Sequence, residues 1–72
     1  MMWENPHGFE CRRTDAIATE NGKVCKVTSF ERINGRFRPS GRFHAYVDGA
    51  YVGHSATIDG AKLACQLHLY AK

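Results

Sequence analysis

What this chain lacks narrows it first. No apolar run comes near the roughly 20 residues that a membrane-spanning helix requires, so no membrane association is expected. The opening Met1-Met2-Trp3-Glu4-Asn5-Pro6 has neither the basic nor the apolar stretch of a secretory signal, and the expected location is cytoplasmic, with reduced thiols. Cys11, Cys25 and Cys65 are odd in number and far apart, which argues against a disulfide framework; Cys65 and Cys25 read as small apolar core residues. The glycines are spaced as turns, so neither a P-loop nor a dinucleotide-binding fingerprint is present. There is no nucleophile elbow and no carboxylate placed to orient a base. Cys25 or Cys65 with His44 or His54 would pair a nucleophile with a base, but any chain with three cysteines and four histidines offers such pairs. No catalytic residue and no cofactor is expected, and the chain reads as non-enzymatic.

Metal ligands are equally thin. Cys65-x-x-His68 has the i, i+3 spacing of one helix face, and His7-x-x-x-Cys11 would add two ligands. Structural zinc, however, takes close tetrahedral sets built from tight C-x-x-C type pairs, and the sequence has none. No metal is expected.

What is present is a fold. Seventy-two residues make one domain with a thin core, burying only about 60% of the surface its unfolded form exposes. The expected organisation is an irregular N-terminal segment over residues 1–15, in which Trp3 is available to dock, and a folded domain over 16–72. Ala16-Ile17-Ala18-Thr19-Glu20 and Lys23-Val24-Cys25-Lys26-Val27 flank Asn21-Gly22, a strong hairpin signal that sets Glu20 opposite Lys23. The second strand runs on to about Arg32. At Asn34-Gly35 two readings stand: a tight hairpin, or one longer loop over 34–41, the latter favoured by Pro39 and Gly41. Phe43-His44-Ala45-Tyr46-Val47, Asp48-Gly49 and Ala50-Tyr51-Val52 form a further hairpin. Thr57 then caps a helix over Ile58 to Tyr70. The fold class is therefore α+β: an antiparallel meander of three or four strands with one C-terminal helix packed on one face.

The helix has two apolar arcs. Ala61, Ala64, Cys65 and His68 share one, suited to close approach to the sheet opposite Phe43, Ala45 and Val47 or the alternate residues of that strand. Leu63, Leu67 and Tyr70 form the other, which needs a cover, either the N-terminal segment or a second subunit; a homodimer through these three residues is expected.

The candidate binding residues lie in 32–42. Arg32, Arg36, Arg38 and Arg42 are four of the six arginines, no acid is among them, and Phe37 is interleaved with Phe43 just beyond. Guanidinium forks match phosphates and guanine edges, and aromatic rings stack on bases. The competing explanation is a solvated loop whose arginines satisfy Glu31, Asp48 or backbone carbonyls. Arginines and aromatics are also enriched at protein interfaces. The net charge of +3 permits a polyanionic partner without requiring one.

Residues 42–70 resemble the small three-stranded-sheet-plus-helix DNA-binding domains, of the AP2 type and of the arm-binding type found in tyrosine recombinases. The resemblance is carried by the aromatic strand 43–47 and by Gly53, Thr57, Asp59, Ala61 and Ala64 across the strand-to-helix junction. It implies a sheet that enters the major groove, with Arg36, Arg38 and Arg42 as candidate readers. This chain departs from that pattern at Ser55, where an aromatic is usual, and in having no basic residue from Tyr46 to Val52. Gly53, Ser55 and Ala61-Lys62 also resemble the second half of a double-stranded-RNA-binding domain. The function expected is non-enzymatic binding of nucleic acid by the Arg/aromatic loop over 32–42 and adjoining strands. The alternative is a small protein-binding inhibitor of the kind phages and mobile elements encode, such as an anti-CRISPR or other anti-defence protein, which occludes a surface of a host protein or ribonucleoprotein.

Overall fold

Three two-residue turns set the topology. Asn21-Gly22, Asn34-Gly35 and Asp48-Gly49 each hold both residues at positive φ (52° and 76°, 51° and 78°, 49° and 83°). This is type I′ geometry, whose twist matches that of the strands it joins. The computed structural model describes residues 2–4 and 14–70, the Arg32 side chain excepted. Its elements are β1 (Ala16–Glu20), β2 (Lys23–Ile33), β3 (Arg36–Val47), β4 (Ala50–Ser55) and α1 (Ile58–Tyr70). The strands form one antiparallel sheet in the order β1-β2-β3-β4, an α+β fold with its helix on one face.

The longer loop favoured over 34–41 does not form. The tight hairpin closes instead, Ile33 pairs with Arg36, and β2 and β3 run out together as a two-stranded ribbon. The residues that argued for a loop are absorbed by a bulge. Thr28 faces His44 and Phe30 faces Pro39, so residues 40–43 stand against Ser29 alone. Pro39 lies at the last pair of the ribbon, where the ladder is interrupted, and Gly41 supplies a φ of 78° inside the bulge. The Ser40 hydroxyl closes the bulge. It accepts from the Arg42 N–H at 3.2 Å and has the carbonyls of Arg42 and Ser29 within donating reach at 2.9 and 3.1 Å.

The core is built from small side chains. Ala16, Ala18, Cys25, Val27, Ala45 and Val47 are buried on one face of the sheet, with Ala61 and Cys65 of α1 against them. Ala61 and Cys65 thus take their expected places. Ala64 is half-buried beside Gly53, where an added Cβ would sit 3.4 Å from the Ala64 Cβ. His68 is exposed, and Leu69 packs on the core instead. The helix starts at Thr57, whose Oγ1 accepts from the Gly60 N–H at 3.1 Å. At Gly60 a Cβ would lie 2.7 Å from the Ser55 Cβ, so glycine lets the end of β4 and the first turn of α1 touch. Trp3 packs on the core, with the Lys62 ammonium 5.7 Å from its ring centroid. Glu4 and Ile17 exchange two backbone hydrogen bonds of 2.9 Å, which lays this stretch along β1. His7, Cys11 and the remainder of 5–13 lie outside the described residues.

Candidate functional site

Strand alternation gives the sheet two unlike faces. One carries the small core residues. The other carries Lys26, Thr28 and Phe30 of β2, Phe37, His44 and Tyr46 of β3, and Tyr51 and His54 of β4, matched by the pairs Lys26–Tyr46, Thr28–His44, Tyr46–Tyr51 and His44–His54. Among the described residues of β2, β3 and β4, none on this face is a carboxylate. Phe37 and Tyr51 are 49% and 52% exposed. A depression of about 370 Å³ opens between Thr14, Lys26, Thr28, Phe30, Phe37 and Tyr46, with Gly49 at its rim.

The rings of this face contact one another. Tyr46 and Tyr51 meet edge to face at 5.4 Å, and His44 lies 5.9 Å from Tyr51 and 6.1 Å from His54. The His44 Nε2 is 2.9 Å from the Ser40 Oγ, and its Nδ1 is 3.4 Å from the Tyr51 hydroxyl. These contacts are mutually satisfied when Nε2–H donates to Ser40 and the Tyr51 hydroxyl donates to Nδ1, leaving the Ser40 proton for a backbone carbonyl. The bulge is thereby tied to β4 across β3. The Arg42 Nε donates to the His54 Nδ1 at 2.9 Å, which holds that guanidinium at this same face.

The arginines singled out in the sequence do not share one surface. Arg42 is with His54. Arg38 pairs across the ribbon with Glu31, Nε to Oε1 at 3.1 Å, and Arg36 is opposite Ile33 at the tip, so by alternation both belong to the other face of the ribbon. Phe37 lies between them and on the aromatic face, and Arg32 occupies the register position opposite Phe37. Ile33, Asn34, Arg36, Phe37 and Arg38 border a second hollow at the tip. Asp48, weighed above as a partner for the arginines, is engaged elsewhere: its Oδ1 accepts from the Val24 N–H at 2.8 Å. Asp15 likewise accepts from the Ser29 N–H at 2.6 Å. The Arg38–Glu31 pair is largely solvated and worth less than about 1 kcal/mol.

Cys25 and Cys65 are buried on the helix side, while His44 and His54 are on the opposite face. Burial pushes the Cys65 thiol up to about 11, with the neighbouring Cys25 adding to the shift. Burial also raises Cys25. Both thiols are thus held protonated and away from the imidazoles. Among the described residues, no three His, Cys, Asp or Glu side chains are grouped to hold a metal, and no helix is long and apolar enough to cross a membrane. Leu63, Leu67 and Tyr70 are exposed on α1 by 53%, 64% and 60%.

No family model, curated protein or solved structure matches the chain. The site therefore rests on its own geometry. Lys26, Phe30, Tyr46 and Tyr51 were not among the residues singled out in the sequence. Their signal is the period-two pattern Lys26-x-Thr28-x-Phe30 and His44-x-Tyr46, which becomes one surface only once the register is known.

Proposed function

We propose that this protein binds nucleic acid without catalysing a reaction on it, using the β2–β3 ribbon and the strands beside it. The observation that carries the reading is the exposed Phe37 ring on a two-stranded ribbon with Arg42 held at the base of the same face, while Arg36 and Arg38 stand exposed on the other side of the ribbon. Such a ribbon presents cations for phosphates together with a ring for a base, the pairing of side chains that nucleic-acid surfaces use. The resemblance of residues 42–70 to sheet-reading DNA-binding domains points the same way. Salt titration tests it. Each arginine that neutralises one phosphate adds about −0.9 to the slope of log affinity against log salt on duplex DNA, and about −0.7 on a single strand. Replacing Arg36, Arg38 and Arg42 together by alanine is expected to weaken binding and flatten that slope while the melting temperature holds. Unchanged binding in this variant refutes the reading.

The second reading is a protein-binding inhibitor, and it draws on the exposure of Ile33 and Phe37 at the ribbon tip. It requires a protein partner whose affinity falls at least as much with Phe37→Ala as with Arg38→Ala, and with little dependence on salt.

A further inference from the structure

We infer that the nucleic acid taken is single-stranded, with its unpaired bases stacked on the helix-free face of the sheet at Phe30, Phe37, Tyr46 and Tyr51. This rests on the nucleic-acid reading above and specifies its substrate. A sheet face turned to water ordinarily alternates polar residues outward. Here that face carries aromatic rings across three successive strands. Phe30, Phe37 and Tyr46 border one depression, and Tyr51 continues the row from Tyr46. Adjacent strands repeat at about 4.8 Å and same-face residues at about 6.7 Å, so the rings form a two-dimensional array rather than a single anchor.

Charge complementarity fixes the class of occupant. Lys26 borders the depression, and Arg42 is held at the face by His54. Glu31 pairs with Arg38 on the other side of the ribbon, and the Asp15 and Asp48 carboxylates at the margins accept backbone N–H groups. Rings flanked by cations, on β2, β3 and β4 whose described residues place no carboxylate on this face and with Glu4 set off beyond β1, suit a chain that carries both flat bases and phosphates. A duplex offers only base edges in its grooves, and reading them takes polar or cationic side chains aimed outward. β4 has no lysine or arginine, and Arg36 and Arg38 are on the opposite side of the ribbon from Arg42. The array therefore fits exposed base faces better than a groove.

The test is fluorescence anisotropy of the full chain with a labelled oligothymidine of about twelve nucleotides, within the site sizes of sheet-based single-strand binders. A duplex of equal length is titrated alongside. The single strand is expected to bind at least tenfold tighter than the duplex, by the same order as the loss of one stacked base. Phe37→Ala and Tyr51→Ala are each expected to weaken it about five- to hundredfold. Both residues are half-exposed, and circular dichroism checks that the variants fold. The double variant Arg36→Ala with Arg38→Ala is expected to lose about threefold or less, since neither is on the binding face. Equal or tighter duplex binding overturns the single-strand inference and leaves the nucleic-acid reading standing. Single-strand binding that survives both aromatic substitutions overturns the stacking surface in the same way. If neither oligonucleotide binds, both readings fall. If Tyr51→Ala instead halves the mass measured by light scattering, the face is occupied by a second copy and the inference is likewise overturned.

Discussion

Gly60→Ala is the substitution whose sign the structure reverses. In an ordinary helix, exchanging glycine for alanine stabilises by up to about 1 kcal/mol, because glycine surrenders more backbone freedom on folding. Here the new methyl would stand 2.7 Å from the Ser55 Cβ and 3.1 Å from the Thr57 Oγ1, well inside the roughly 3.5–4.0 Å of a carbon contact. The Ser55 Cβ is fixed to the backbone at the end of β4, so a side-chain rotation does not relieve the contact. The first turn of α1 must lift, which strains the 3.1 Å cap between Thr57 and Gly60 and draws Ala61 away from the sheet. Overpacking of this kind costs about 1–3 kcal/mol. Set against the propensity gain, the net expectation is a loss of about 1 kcal/mol, or roughly 4–8 °C in melting temperature for a domain of this size. Urea and thermal unfolding of the variant measure it. The same substitution in a Ser55→Gly background, where only the 3.1 Å approach to the Thr57 Oγ1 remains, is expected to cost less than it does beside Ser55. Gly60→Ala raising the midpoint on its own would refute the close approach of β4 and α1 described above.

Three further outcomes follow from the packing. Cys65 has its thiol raised to about 11 from an ordinary value of 9.0, and Cys25 is raised in the same direction. The unfolded chain therefore releases these protons first, and stability is present in full below about pH 9 and is lost as pH rises toward 11; urea midpoints across that window check the sign, and a rising midpoint refutes it. Trp3→Ala is expected to cost about 1–3 kcal/mol, below the usual range for a fully buried aromatic because Trp3 is half-buried; an unchanged urea midpoint would show that Trp3 does not dock. Leu63, Leu67 and Tyr70 are expected to mediate a two-fold dimer that Leu67→Lys disperses; light scattering that gives a monomer at both high and low concentration refutes it.

The parts of the fold that were legible in the sequence are those decided locally. Asn-Gly and Asp-Gly specify their turns through the φ values that two adjacent residues adopt, and Thr57 marks the helix start by its own hydroxyl. Residues 34–41 were harder, because Pro39 and Gly41 are breakers in isolation. Their effect is cancelled by a bulge that exists only because β2 runs past it without interruption. The aromatic face was hidden for a related reason. Lys26-x-Thr28-x-Phe30 looks like any solvent-facing strand, and it becomes a surface only when Tyr46 is paired with Lys26 on one side and Tyr51 on the other. Conversely, the arginines adjacent in sequence are parted by strand alternation and by the bulge, and sequence proximity overstated their unity.

The bulge also separates the reach of this protein from its stability. From Phe30 to Thr28 β2 takes two steps, while β3 takes five from Pro39 to His44, an excess of three. Had the ribbon pairing continued unbroken, Val27 would meet Arg42 and Cys25 would meet His44, and a cation and an imidazole would point at the helix. The odd excess exchanges the parity of β3, so that Ala45 and Val47 arrive there instead. Beyond this point the arm keeps its own frame. Cross-strand pairs can be inserted or deleted two at a time past Phe30 without altering any residue beneath α1. A descendant of this chain can thus lengthen or shorten its arm to suit a new target while inheriting the core unchanged.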